Sequence, residues 1–291
     1  MHEEHKGELL VFSESALWAL FPIIALLSYQ SLTPLMSAAI TSLLGAVFFA
    51  LLLTGKGSWG ELKRKAAYKP IIYSALLIGV AYYTFLFIGL SLTSAGDASI
   101  ALLMEIFFTY LILCLWGKER FDKKHAIGAI LMAIGAVIIF SPSAGGSFLG
   151  NLIIIVGTIF PPVGNYFQQQ ARKLVSAPAI LFVRSLISGS IIMVAALICE
   201  GPLPSGSISV ALPFLLYNGI FMMGVSKIMW IEAIHRIPIT KATSLNTVTP
   251  AYTLLFAFLI LGDIPTWTQM AGFIPILIGA QFLITKTVSL G

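Results

Sequence analysis

Three charged residues, Glu105, Lys227 and Arg184, lie inside long apolar stretches of the chain. A charge at the centre of a membrane helix costs about 2.5–3.5 kcal/mol on insertion scales, so it normally faces a cavity or a partner. Glu105 is the strongest site candidate, because it could bind the ammonium group of a solute or carry a coupling proton. Lys227 could bind a carboxylate or a phosphate. The alternatives for Glu105 are a structural ion pair with Lys227 or Arg184 and a neutral glutamate held by hydrogen bonds.

Polar side chains also follow a pair of prolines in the second half of the chain. Pro161 and Pro162 have no backbone N–H, so carbonyl groups of the preceding turn lose their hydrogen-bond donors. A membrane tolerates such unpaired carbonyl groups only where they face protein or a water-filled cavity. Asn165 and Gln168 follow on one helical face. Pro22 lies in the comparable region of the first half. Interrupted helices at corresponding positions indicate a transport site. The alternative for Gln168 is the cytoplasmic interface.

A second polar stripe contains Asn246 and Thr249 beside Pro250. Threonine often only bonds a carbonyl of the preceding turn, so Asn246 is the better site candidate. Aromatic residues could form a cage for a cation beside Glu105. The alternative for the aromatics is packing or anchoring at the membrane interface. The cage candidates are Trp18, Tyr82 and Tyr83.

The composition places these residues in a membrane protein. Hydrophobic residues make up 58% of the 291 residues and charged residues 10%, with a mean hydropathy of +0.96. Soluble proteins carry about 25% charged residues. Since a membrane helix needs about 20 apolar residues, the chain divides into ten predicted spans with short connections. Their approximate bounds are 10–29, 34–54, 70–91, 97–116, 125–141, 150–171, 178–199, 210–234, 242–261 and 268–285. Glu14 and Asp97 lie near predicted helix starts, where a carboxylate suits the helix dipole.

The net charge of +5 belongs to loops and does not indicate nucleic-acid binding. In the ten-span arrangement the loop lysines and arginines share one side, which the positive-inside rule assigns to the cytoplasm. We therefore expect a cytoplasmic-membrane protein with both termini in the cytoplasm, whereas nine or eleven spans would scatter these charges. The two cysteines, Cys114 and Cys199, have no metal-ligand spacing. With no ATP-binding loop either, we expect no metal or cofactor.

The two halves of the chain align at an offset of 144 residues without a gap. This register predicts a duplication, with a first repeat at 1–145 and a second at 146–291. Because each half holds five helices, the halves cross the membrane in opposite senses. The predicted fold is an all-α integral membrane protein of ten transmembrane helices, built as two inverted-topology five-helix repeats. Matching positions include Pro34 and Pro178, Gly45 and Gly189, Tyr73 and Tyr217, Ala98 and Ala242, Thr109 and Thr253, and Gly128 and Gly272.

The run from Ala242 through Pro250 to Asp263, followed by Gly272 and Gly279, resembles the EamA-type ten-helix branch of the drug/metabolite transporter superfamily. The shared features are a small-residue helix start, a mid-helix proline, an acidic residue after a glycine, and a glycine-bearing last helix. The resemblance implies a small-metabolite carrier that works by alternating access. It implies a cavity formed by spans 1, 3, 4, 6, 8 and 9. Arg184, on span 7, is then expected outside that cavity, with its side chain extended to the cytoplasmic interface.

These observations predict a secondary transporter that exports an amino acid, amine or related solute, driven by protons or by the solute gradient. The partners expected are the small-molecule substrate, the lipid bilayer and protons. The small-residue faces of the fifth and tenth spans allow close helix contact within the chain or a homodimer. The alternatives are a channel-like facilitator or a non-transporting membrane scaffold. An intramembrane enzyme is the least favoured class, because the acidic and nucleophilic motifs of such enzymes are absent.

Overall fold

The computed structural model describes residues 3–117, 123–139, 147–203 and 206–284, and all of the long elements in this part of the chain are helices. They occupy the ten positions that the hydropathy pattern predicts. We number them α1 to α10: Glu3–Ser28, Pro34–Gly55, Lys65–Leu90, Ala95–Leu115, Lys123–Ile139, Phe148–Arg172, Ala177–Cys199, Ile208–Arg236, Ile239–Leu261 and Trp267–Ile284.

Eight of these helices in the described residues are long and apolar enough to cross a membrane. The other two, α5 and α10, pack along each other at glycines. A Cβ atom at Gly135 in α5 would lie 2.5 Å from the carbonyl oxygen of Gly272 in α10. The small-residue faces of these helices therefore serve contact within the chain, while a homodimer stays a prediction.

Five helices in each half follow one another at the 144-residue offset. Finer features repeat too, because α3 and α8 contain π-helical segments at matching places, Ala75–Tyr82 and Asn218–Ser226. The breaks in α4, at Leu102, and in α9, at Asn246, are 144 residues apart. The predicted all-α membrane fold of two repeats is confirmed, and five helices per repeat give the repeats opposite directions across the membrane.

Helices α2 and α7 form the long contact that joins the two repeats. At the N-terminus of each of these two helices, backbone N–H groups donate to a carboxylate from the other half of the chain. Glu200, after α7, accepts the backbone N–H groups of Leu35 and Met36, each at 3.0 Å. Glu61, after α2, accepts the N–H of Ser176 at 2.5 Å. Both carboxylates satisfy donors that a helix leaves unpaired at its start.

Candidate functional site

A cavity of about 50 Å³ lies midway along the helices, between the two repeats. Water needs roughly 10–15 Å³ by this measure, so the space suits about four water molecules. Its walls come from α1, α3, α4, α6, α7, α8 and α9. The lining residues are Glu14, Trp18, Ile78, Tyr82, Tyr83, Glu105, Pro161, Asn165, Gln168, Arg184, Lys227, Trp230 and Asn246.

Breaks in the helices bring many of these side chains to the cavity. In α1 the first segment ends at Trp18, and in α6 the second segment begins at Phe160, with Pro161 in its first turn. Glu105 lies in the first turn of the second segment of α4, Met104–Leu115, where the helix dipole favours a carboxylate. Proline suits the first turn of a helix because its missing N–H has no partner there. The interruptions thus collect polar groups midway along the helices.

A chain of hydrogen bonds crosses the cavity wall from a cation to a carboxylate. Arg184 Nη1 donates to Gln168 Oε1 at 2.6 Å, and Gln168 Nε2 donates to Asn165 Oδ1 at 2.9 Å. Asn165 Nδ2 then donates to Glu105 Oε1 at 3.2 Å. Trp230 Nε1 also donates to Asn165 Oδ1, at 2.9 Å. The hydrogen bonds on both sides of each amide therefore fix its orientation. All four bonds run in one direction, so that the last acceptor of the chain is the Glu105 carboxylate.

The expectation that Arg184 lies outside the cavity is wrong. Its side chain is 2% exposed and lines the cavity from α7. Its guanidinium lies 5.8 Å from the ring centroid of Tyr83, and its Nη2 donates to the Tyr83 hydroxyl at 3.3 Å. The approach of α3 allows this burial, because Gly79 packs directly against Ser188 on α7. Because Gly79 has no side chain, α3 lies close enough to α7 to cover the Arg184 side chain.

The ion pair in the cavity also differs from the pair considered as the alternative for Glu105. Lys227 Nζ binds Glu14 Oε1 at 2.7 Å and not Glu105, and it lies 3.4 Å from the ring centroid of Trp18. Ser226 Oγ donates to the same Glu14 oxygen at 2.9 Å. Glu14 is 1% exposed, and α1 starts at Glu3 and not near residue 10. It therefore lies well inside the helix, where a dipole role at the start does not apply.

Asn246 and Thr249 connect α9 to α1. Asn246 Oδ1 accepts a hydrogen bond from Ser15 Oγ at 2.6 Å and another from Thr249 Oγ1. Asn246 lines the cavity, whereas Thr249 does not and reaches it only through this bond. Thr253, one turn further, donates to the carbonyl of Ala19 at the break in α1, at 3.0 Å. Eight of the nine predicted site residues thus meet around one cavity, and their role in binding stays a prediction.

Polar contacts join the helices at both ends of the bundle. On the side where α6 and α8 end, Arg172 Nε binds Glu232 at 2.7 Å, and Arg236 Nη1 binds the other Glu232 oxygen at 2.6 Å. On the opposite side, Thr93 Oγ1 donates to Asn151 Oδ1 at 2.7 Å. Because the cavity holds only a few water molecules, a larger solute requires the helices around it to move.

Among the described residues, no group of three or more His, Cys, Asp or Glu side chains could hold a metal ion. The cavity chemistry is instead that of two carboxylates, two cations, amides and aromatic rings. Such a set can hold a solute that carries both an ammonium and a carboxylate, since each charge finds an opposite partner.

Comparisons with known proteins place the chain among transporters. The sequence model described as "EamA-like transporter family" matches residues 5–141 and 148–285. An "Uncharacterized transporter" of Archaeoglobus fulgidus is 22% identical over 264 residues, which cover 89% of this chain and 91% of that relative. A "Probable amino-acid metabolite efflux pump" of Escherichia coli is 23% identical over 289 residues, covering 94% of this chain and 93% of the relative.

The fold also matches a solved structure. A structure described only as "Crystal structure of protein" superposes on this chain with a TM-score of 0.73 at 17% identity. The match covers 96% of this chain and 97% of the other. At this identity the likeness concerns the fold alone.

Proposed function

The chain belongs to the EamA-like transporter family as a multi-pass membrane protein, and from that premise we propose that it exports a small zwitterionic metabolite of the amino-acid type. The observation that carries this proposal is the relay from Arg184 through Gln168 and Asn165 to Glu105. The relay places a cation, Arg184, in a cavity that two carboxylates, Glu105 and Glu14, also line, so each charge of a zwitterionic solute finds an opposite partner there. Two relatives, from Escherichia coli and Salmonella typhimurium, are named probable amino-acid metabolite efflux pumps, which supports this substrate class and the direction.

The repeat and the position of the cavity between its two halves support transport by alternating access. Two inverted repeats allow the site to face one side and then the other by exchange of similar packing arrangements. The ion pairs of Glu232 at one end and the Thr93–Asn151 bond at the other are the contacts that must break in turn. In the orientation that the loop lysines and arginines favour, the Glu232 end faces the cytoplasm.

Proton coupling is proposed for Glu105. Within the described residues its carboxylate bonds only an uncharged partner, Asn165, so protonation removes a charge that no direct ion pair balances. Glu14 differs, because Lys227 bonds it directly. A proton on Glu105 would remove one negative charge from the cavity, which weakens the hold of the cavity on a solute cation, and release of the solute would follow.

Counterflow in proteoliposomes tests the transport proposal. Liposomes that contain the purified protein and are loaded with an unlabelled amino acid should accumulate the labelled form transiently, with a rate that saturates. A panel of neutral, acidic and basic amino acids and a simple amine defines the class. Flux that rises linearly with concentration would indicate a channel, and no flux with any member would indicate a scaffold.

The variant Glu105→Gln tests the coupling. We expect counterflow to persist, because it needs no net proton movement, while transport driven by an imposed pH gradient is lost. A pH response equal to that of the wild type would show that Glu105 does not couple the proton. Gln281→Leu, an exposed change on α10, is the control.

A further inference from the structure

The ammonium group of Lys227 lies over an aromatic ring, as the ammonium groups of ligands do in many binding sites. Its Nζ stands 3.4 Å from the centre of the Trp18 ring and 2.7 Å from Glu14 Oε1. An aromatic face with a carboxylate beside it is the usual arrangement for binding a substrate cation. Here the occupant is a side chain of the protein itself.

Glu14 has capacity for a second cationic contact. Its Oε1 accepts from both Lys227 and Ser226, whereas its Oε2 is buried and has no hydrogen-bond partner among the described residues. A buried carboxylate oxygen normally has a partner. A ligand with an N–H group at the Trp18 face would supply one.

A second carboxylate, Glu105, lies in the same cavity and could pair with Lys227 if Lys227 left Glu14. Lys227 lies directly after the π-helical segment of α8, its side chain is 12% exposed, and it shares the cavity with Glu105. Glu105 bonds Asn165 and no cation within the described part of the chain. A lysine that leaves Glu14 can therefore remain in the cavity beside a second carboxylate, which avoids an unpaired buried charge.

We propose that Glu14 and Trp18 form an ammonium subsite, that Lys227 occupies it in the solute-free protein, and that the ammonium group of the solute displaces Lys227. The inference rests on the proposed transport of an ammonium-bearing solute and identifies where that group binds. Lys227 is then a resident competitor and not a direct ligand of the solute carboxylate. Its release changes the contacts of α8 with α1, so binding of a solute is linked to movement between the repeats.

Removal of Lys227 must increase the affinity of the subsite for a free ammonium ion. The apparent dissociation constant equals the intrinsic one divided by the fraction of protein whose subsite is free. A subsite that Lys227 fills nine-tenths of the time or more therefore binds at least tenfold more tightly once Lys227 is gone.

The probe is n-butylammonium, which has the shape of the lysine side chain, and the control ligand is neutral n-butanol. Titration calorimetry of the whole protein in detergent compares the wild type with Lys227→Ala. We expect at least tenfold tighter binding of n-butylammonium by the variant and no such gain for n-butanol. Equal or weaker binding of n-butylammonium by the variant would overturn the proposal, and so would an equal gain for n-butanol, which would indicate mere filling of space.

Two further variants keep the test decisive. Lys227→Met retains the unbranched stem, so it serves with methylammonium where Lys227→Ala does not fold, and the same tightening is expected. The double variant Glu14→Gln with Lys227→Ala leaves no unpaired charge at this pair and should lose the gain. If the double variant binds as tightly as Lys227→Ala, Glu14 is not part of the subsite. These are equilibrium measurements without transport, so their failure leaves the counterflow result untouched, and the reverse also holds.

Discussion

Replacement of Gln168 by leucine should destabilise the protein through a residue on another helix, Arg184. The Arg184 guanidinium is buried and makes two described hydrogen bonds, a short one to Gln168 at 2.6 Å and a long one to Tyr83 at 3.3 Å. Its Nε has no partner among the described residues. Gln168→Leu removes the shorter bond and leaves a buried charge with one weak contact. Asn165 keeps its second donor, Trp230, so the loss falls mainly on Arg184.

The magnitude follows from the cost of a lost hydrogen bond to a charged, buried group. That cost is about 2–3 kcal/mol. A chain of this size loses about 2 °C of Tm per kcal/mol, so Tm should fall by about 5 °C. The control is Gln169→Leu, which loses one bond from Gln169 Nε2 to the carbonyl of Ile234 and should lower Tm by about 2 °C.

A double variant separates this explanation from simple loss of packing. Arg184→Met combined with Gln168→Leu replaces both partners by apolar side chains of similar length, which leaves no unpaired charge. We expect the double variant to recover at least half of the stability that Gln168→Leu loses. The assay is thermal unfolding in detergent followed by tryptophan fluorescence. If the double variant is less stable than Gln168→Leu, the Arg184 charge is not the cause and the reasoning fails.

Three other predictions concern the scaffold around the site. Gly135→Ala should lower the unfolding free energy by about 1–3 kcal/mol, because a Cβ there meets the Gly272 carbonyl of α10; Gly60→Ala, with no atom within 4 Å, should leave Tm unchanged. Glu200→Ala should cost about 1–2 kcal/mol in the same melting assay, since two N–H groups at the start of α2 lose their acceptor; an unchanged Tm would show that water replaces the cap at no cost. Glu232→Gln should speed amide hydrogen exchange at the ends of α6 and α8, where two arginine contacts are lost; exchange that quickens equally in α5 would argue for general loosening instead of local opening.

Much of the fold could be predicted because a membrane restricts the possibilities. The length of the apolar runs and the 144-residue register together predict ten helices and two repeats. Glu105, Lys227 and Asn165 stood out because polar groups are rare in such runs. They lie around the cavity that the structure contains.

The wrong predictions for Glu14 and Arg184 concern features that depend on contacts between helices. Glu14 was expected near a helix start because the polar stretch before it does not resemble a membrane helix, yet α1 continues through that stretch to Glu3. The inward position of Arg184 depends on the close approach of Gly79 on α3 to Ser188, a contact between residues more than 100 positions apart. The break in α4 has no proline at all, so no local pattern of residues predicts it. At the 144-residue offset Arg184 faces Ile40, so the charge difference between the two halves marks Arg184 as a position of interest, although the family resemblance implies a place outside the cavity.

The central claim is that the cavity between the repeats holds the transported solute. The most direct measurement is the concentration dependence of amino-acid counterflow in proteoliposomes for the wild type, Asn165→Leu and Gln281→Leu. Asn165 joins the relay to Glu105 and lines the cavity, whereas Gln281 lies exposed on α10. We predict a KM at least tenfold higher for Asn165→Leu and a wild-type KM for Gln281→Leu. A wild-type KM for Asn165→Leu, in protein that is folded and inserted, would contradict the account.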